Sequence, residues 1–244
     1  MEHTVTNPSK SAKKGITLKK IFKFILWAIL IYIVFSILLT FVYKFVNPPV
    51  TILMIQRCIE QTFSKDRKVR LQKKWVDYED ISQNMVTAVV AAEDNNFRNH
   101  NGFDYQAIAY AKKLNEKKGK KVLGASTITQ QMAKNVFLWL HKSYFRKGLE
   151  AWETILMEMF WDKKRIMEVY LNVIEFGDGI YGVEAASEYY FNKNAKNLTK
   201  REAALLTAVL PQPLKRNPAN PNKRTQRRAS MIQKKMSIIG RVRL

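Results

Sequence analysis

AAEDNNFRNHNGFD, residues 91–104, joins an apolar run to a polar turn rich in asparagine. Just upstream, Met85, Val86, Val89 and Val90 recur at helical spacing and share one face. Glu93 follows Val89 by four residues, so it borders that face. A carboxylate bordered by apolar side chains is partly desolvated, which suits it to take up a proton from a substrate. The alternative is a helix-ending Glu in solvent, the ordinary fate of an isolated Glu-Asp pair. The rest of the chain decides between the two.

The 244 residues are enough for one domain with appendages. Lys+Arg outnumber Asp+Glu by 42 to 20, and a formal charge of +22 calls for anionic company: nucleic acid, anionic lipid or a phosphorylated substrate. A single cysteine, Cys58, excludes an internal disulfide, and without a Cys/His cluster structural zinc is disfavoured.

Residues 24–43, FILWAILIYIVFSILLTFVY, carry no charge. At the helical rise they span about 30 Å, the thickness of a bilayer's hydrocarbon core. The run is too long for a signal-peptide core and no small-residue cleavage site comes after it, so a retained transmembrane helix is expected. Lys10, Lys13, Lys14, Lys19, Lys20 and Lys23 precede it, whereas Lys44 stands alone just after it. This asymmetry reads residues 1–23 as a basic cytoplasmic tail and sends residues 44–244 to the outer side of the membrane, which excludes nucleic acid as partner. Six Lys and one Glu in the tail leave +17 of the +22 on the exported part. Residues 44–74 read as a linker and membrane-proximal segment. Asn47, Pro48 and Pro49 break the helix, and Ile52, Ile55 and Ile59 lie at helical spacing within residues 50–63. A basic connector occupies residues 67–74.

Beyond Asp104 a helix is expected over residues 105–114 and a mobile Lys/Gly/Glu loop over 115–121. GASTITQQMAKN, residues 124–135, starts another helix, with Ser126 or Thr127 as cap and Thr127–Gln130 fitting a capping box. A Gly-led helix N-terminus offers free N–H groups and positive dipole to a phosphate or diphosphate. On that helix Thr127, Gln131, Lys134 and Asn135 share a face opposite Ile128 and Met132; a plain amphipathic helix is the alternative. FLWLHKSYF, residues 137–145, is too aromatic for a simple core helix, and its His141 has no partner at ligand spacing.

Arg146 and Glu150, four apart, are either a surface ion pair or a second carboxylate held by a cation beside an anionic leaving group. Trp152, Ile155, Leu156 and Met159 are expected to carry that helix into the core. In KKRIMEVYLN, residues 163–172, Glu168 and Asn172 share a face while Ile166, Tyr170 and Leu171 pack. Residues 175–182 read as a glycine-rich turn with no dinucleotide fingerprint. Ala-rich helices come next at 183–190 and 200–210, then a Pro-punctuated segment. Between residues 223 and 243 there are eight basic residues and no acidic ones, with Met231, Ile232 and Met236 as an apolar stripe. That is a basic amphipathic helix near anionic headgroups, or a solvated tail.

Taken together, EDNNFRNHNGFD, GASTITQQMAKN, RKGLE and KKRIMEVYLNVIEFGDGIYGVEAA, in this order, resemble the successive motifs of the peptidoglycan glycosyltransferases over about residues 75–215. EFGDGIYGVEAA and the short anchor resemble the monofunctional biosynthetic members of Gram-negative bacteria. There is no KTG for a transpeptidase domain, and the Ser11/Lys14 S-x-x-K match falls in the tail. The resemblance implies a mainly α-helical, lysozyme-like glycosyltransferase domain, assigned to residues 75–221, with a small membrane-associated lobe; the basic run after it makes residues 222–244 a basic C-terminal helix. It implies a single-pass protein of the inner membrane with a periplasmic catalytic domain. The activity implied is polymerisation of lipid II into β-1,4-linked glycan with release of undecaprenyl diphosphate.

Carried across by motif, Glu93 matches the general base and Glu150 the second acid near the donor diphosphate, 57 residues on. Ser126, Gln131, Lys134, Asn135, Arg146 and Lys147 match positions that bind substrate or diphosphate. Asp94, Phe97 and His100 complete the first motif, and Lys163, Glu168 and Asn172 the fourth. A divalent cation such as magnesium accompanies the diphosphate in the family; the sequence itself leaves the metal ligands unknown. Partners implied are lipid II, the growing strand, membrane lipid and proteins of cell division or elongation. The rival readings are a lysozyme-like lytic enzyme with Glu93 as acid, which has no need of the Lys134/Arg146/Lys147 cluster, and a non-catalytic membrane-anchored scaffold.

Overall fold

The computed structural model describes residues 18–119 and 124–244. Lys10, Lys13 and Lys14 of the expected tail, and Lys120 and Lys121 of the expected loop, lie outside the described residues. Among the described residues the fold is mainly α-helical, as expected, with one small sheet. The described residues form two compact units, which divide between Leu39 and Thr40.

Helix α1 (Leu18–Phe45) contains the whole uncharged run and is long and apolar enough to cross a membrane. In the first unit its large side chains, Phe24, Trp27 and Phe35 among them, face outward, the pattern of a helix whose surroundings are lipid.

The second unit begins within α1, at Thr40. Thr51 caps α2 (Ile52–Thr62) by accepting from Met54 N–H. Leu53, Met54 and Gln61 are its buried residues, while the Ile52, Ile55 and Ile59 stripe faces outward. Strand β1 (Gln72–Lys73) pairs in parallel with β3 (Ile180–Tyr181), which pairs antiparallel with β2 (Glu175–Gly177), so the linker is stitched into the domain. The expected glycine-rich turn is therefore a bulged hairpin, and Gly179 at its tip has φ +72°, with Arg70 O 2.4 Å from where a Cβ would stand.

Helix α3 (Gln83–Glu93), capped by Ser82, buries Met85, Val86, Val89 and Val90 as expected, and Thr87, Ala88 and Ala91 as well. Two further helices enclose it: α9 (Lys200–Val209) and α10 (Lys223–Ile239) both pack against it. Ala229, Ile232 and Met236 of α10 are buried, so the C-terminal helix turns its apolar side to the domain core and not to headgroups or solvent; Met231 stays exposed.

Helix α4 (Tyr105–Lys117), capped by Asp104, runs on through residues 115–117, where a loop was expected. Helix α5 (Ile128–Phe137) carries the Thr127/Gln130 capping box. Helix α6 (Tyr144–Phe160) buries Leu156 as expected, but Ile155 and Met159 are exposed. Its inward residues are Arg146, Glu150, Glu153, Thr154 and Met157, a largely polar face that hydrophobic periodicity passes over. Helices α7 (Lys163–Val173), with Ile166, Tyr170 and Leu171 buried as expected, and α8 (Val183–Phe191) complete the unit.

Candidate active site

Glu93 closes α3, and its side chain keeps only 14% of its exposure. Two donors meet the carboxylate: Gln131 Nε2 at 3.1 Å on Oε2 and Arg228 Nη2 at 3.0 Å on Oε1. The Gln131 amide is oriented in turn by Tyr170, whose hydroxyl donates to Oε1 at 3.1 Å. Burial, together with the Glu93 and Asp94 charges, holds the Tyr170 phenol well above its ordinary pKa, so it remains a donor.

The turn after Glu93 is fixed by the next residue. Asp94 accepts from His100 Nε2 at 2.9 Å and from the backbone N–H of Ile128 at 3.0 Å. His100 Nδ1 accepts from Gly102 N–H at 3.1 Å, so the ring proton sits on Nε2, facing Asp94. Gly102 has φ +87°, and a Cβ there would stand 2.6 Å from Thr154 Cγ2. Thr127 Oγ1 donates to Gly102 O at 2.6 Å. The α5 N-terminus is thus taken up by Asp94 and its own capping box, and it is not the open phosphate cradle that its Gly-led sequence promised.

The cations come from elsewhere. Ser126, Gln130, Gln131, Lys134, Lys142, Ser143, Tyr144, Arg146, Lys147 and Glu150 line a cleft of about 570 Å³. Two helix starts reach it, that of α5 through Ser126 and Gln130 and that of α6 through its cap Ser143 and Tyr144. Glu150, 3% exposed, accepts from Arg146 Nη1 at 2.7 Å and from Lys147 Nζ. Burial pushes the Lys134 ammonium below its ordinary pKa; Glu150 opposes this, and Arg146, Lys147 and Arg57 reinforce it. One carboxylate among three close cations leaves a net positive wall, the electrostatic form of a diphosphate site.

Residues 59–237 match the family described as Transglycosylase. The chain belongs to the transglycosylase family. It is 45% identical over 226 residues, 93% of this chain and 95% of the relative, to the "Biosynthetic peptidoglycan transglycosylase" of Shewanella oneidensis. Proteins of the same name from Haemophilus influenzae and Pseudomonas putida F1 are 47% and 46% identical, over 86% and 87% of this chain and 84% and 89% of their own. This transglycosylase is accordingly an enzyme of glycosyl transfer.

The structure brings together Glu93, Gln131, Ser126, Lys134, Arg146, Lys147 and Glu150. The other sequence candidates stand behind them. Phe97 is fully buried, with the Lys163 ammonium 4.7 Å from its ring centroid. Lys163 donates to His100 O at 2.6 Å and to Glu158 at 2.7 and 2.9 Å. Glu168 pairs with Arg165 at 2.9 Å, and Asn172 holds the backbone of Val76 through both its amide atoms. Asn135 is buried and does not line the cleft.

Arg228 is the contact that the sequence did not disclose, lying 135 positions from Glu93 inside a uniformly basic run. Nor do the cleft residues make a protein-held divalent site. Glu150 is occupied by Arg146 and Lys147, and among the described residues no three His, Cys, Asp or Glu converge.

Proposed function

We propose that this transglycosylase polymerises lipid II into β-1,4-linked glycan, releasing undecaprenyl diphosphate with inversion at the transferred sugar. The reading is carried by one observation: Gln131 both binds Glu93 and lines the cationic cleft, so a proton acceptor borders a diphosphate cradle. In the reaction, the acceptor's 4-hydroxyl gives its proton to the Glu93 carboxylate while its oxygen bonds to C1 of the donor. The C1–diphosphate bond breaks on the opposite side, and its electron pair leaves with the diphosphate. Lys134, Arg146 and Lys147 neutralise that charge, which removes the need for a strong general acid. Glu150 keeps Arg146 and Lys147 in place.

The apolar α1 and the lysine asymmetry around it support a single-pass anchor in the inner membrane, with a cytoplasmic N-terminus and a periplasmic catalytic domain. A lytic enzyme would share the carboxylate but has no use for the cation wall. The test is polymerisation of purified lipid II by wild type and Glu93→Gln. The expected loss is about 10²–10⁴-fold, the worth of a general base, with the melting temperature little changed. Glu93→Gln turning over within threefold of wild type refutes the assignment, and so does a wild type that only shortens finished strands.

A further inference from the structure

A cavity of about 530 Å³ opens at the end of α3 away from Glu93. Ser82 and Gln83 from the start of α3, Lys200 from the start of α9, and Ser237, Gly240 and Arg241 from the end of α10 line it. Gly240 shapes one wall. It ends α10 at φ +69°, and the chain turns back so that Val242, 2% exposed, donates its N–H to Thr87 Oγ1 at 3.3 Å. Arg241 is left exposed at the cavity, between the helix end and the pinned Val242.

The lining holds two cations, Lys200 and Arg241, and no carboxylate. Among the described residues neither cation has an ion-pair partner; Lys200 Nζ donates to Ser237 Oγ at 2.6 Å. The start of α3 adds the positive end of its dipole, with no acidic residue in its first turn. Beside this positive wall stands an acceptor, since Gln83 Oε1 is buried without a hydrogen-bond donor. A buried acceptor left unpaired is costly, so a donor is expected from a bound group. The ligand that answers both halves carries an anion with a donor next to it. A phosphodiester offers acceptors alone and leaves Gln83 Oε1 unpaired. The end of a peptide fits: a carboxylate, with an amide N–H one residue away.

We infer that this cavity binds the carboxylate end of the peptide arm carried on the sugars being joined, with Lys200 and Arg241 on the carboxylate and Gln83 Oε1 accepting from the adjacent amide. The proposal rests on the transferase reading, in which lipid II brings a peptide on its sugar. The 11 residues of α3 put the cavity about 16 Å from Glu93. Helix α10 runs beside α3 from Arg228, which meets Glu93, to Ser237 and Gly240 at the cavity. An arm of about five extended residues spans that distance. Holding the arm orients the sugar and leaves the chemical step to the cleft.

The test is the double variant Lys200→Gln/Arg241→Gln, two exposed side chains whose replacement should leave the melting temperature unchanged. Full-length protein in neutral detergent is given lipid II with its peptide's terminal carboxylate free, and lipid II with that carboxylate amidated, each over a range of concentrations. In wild type, amidation is expected to raise KM about tenfold with kcat within about threefold, the worth of one charge-assisted contact. The double variant should show the raised KM already with the free acid and no difference between the two lipids.

Calorimetric titration with acetyl-alanyl-alanine and with its C-terminal amide supplies a readout independent of turnover. The acid should bind wild type about tenfold more tightly than the amide, and the two should bind the double variant alike. A wild type that binds acid and amide alike, with a KM unmoved by amidation, overturns the site while its polymerisation of lipid II leaves the transferase reading standing. Selective binding of the acid with an unmoved KM overturns the assignment to the sugar's peptide arm. A wild type that selects the acid but does not polymerise lipid II overturns the transferase reading instead.

Discussion

Glu150→Gln tests the cation wall in two opposite directions at once. The carboxylate is 3% exposed and is shared by Arg146, itself 7% exposed, and Lys147. Breaking a buried ion pair by neutralising one partner costs about 3–5 kcal/mol, because the other charge stays buried. Half of the Lys147 side chain is exposed and can swing to water, so the loss falls to about 2–4 kcal/mol. For a domain of about 150–250 residues that is a drop of about 5–15 °C in melting temperature. Diphosphate affinity should move the other way. At about 6 Å and an effective dielectric of about 20, one carboxylate repels each phosphate charge by about 3 kcal/mol before screening. Removing it should tighten the binding of inorganic diphosphate about tenfold, and the added ligand should recover part of the lost melting temperature. Differential scanning fluorimetry across a diphosphate titration reads both quantities. Polymerisation should fall severely, because the cations lose their fixed positions. A variant that melts as wild type and binds diphosphate no more tightly would refute the claim that Glu150 organises these cations.

Two further outcomes rest on single residues. Burial lowers the Lys134 pKa below its value of 10.5 in the unfolded chain, so between the folded value and 10.5 the unfolded state binds more protons and stability rises with pH. Lys134→Met should therefore melt higher than wild type at neutral pH, lose this advantage as pH approaches 10.5, and polymerise at least about tenfold more slowly; a lower melting point at pH 7 contradicts it. Gly102→Ala forces a side chain onto a positive φ and against Thr154 Cγ2, with an expected loss of about 2–4 kcal/mol by urea unfolding.

Glu93, Gln131, Lys134, Arg146 and Glu150 could be read from the chain because each sits in a short motif whose spacing carries its helix face. Arg228 could not, since its role exists only once α10 has folded back over α3. The inward face of α6 was misjudged because its buried positions are Glu150, Glu153 and Thr154, which a hydrophobic pattern counts as outside. In α2 the regular isoleucine stripe is the exposed face, so spacing alone does not say which side of a helix meets the core. The α5 N-terminus looked open because nothing in its own sequence reveals that Asp94, 34 positions earlier, already occupies it.

That bond from Asp94 to Ile128 has a consequence of its own. It welds the residue after the proposed base directly to the helix that carries Lys134, so proton acceptor and leaving-group cradle are held at a set gauge. Under the proposed chemistry, each round of addition then meets the same jig, already cut to size. In a polymerase built this way the travelling part is the strand, which must slip forward by its own repeat.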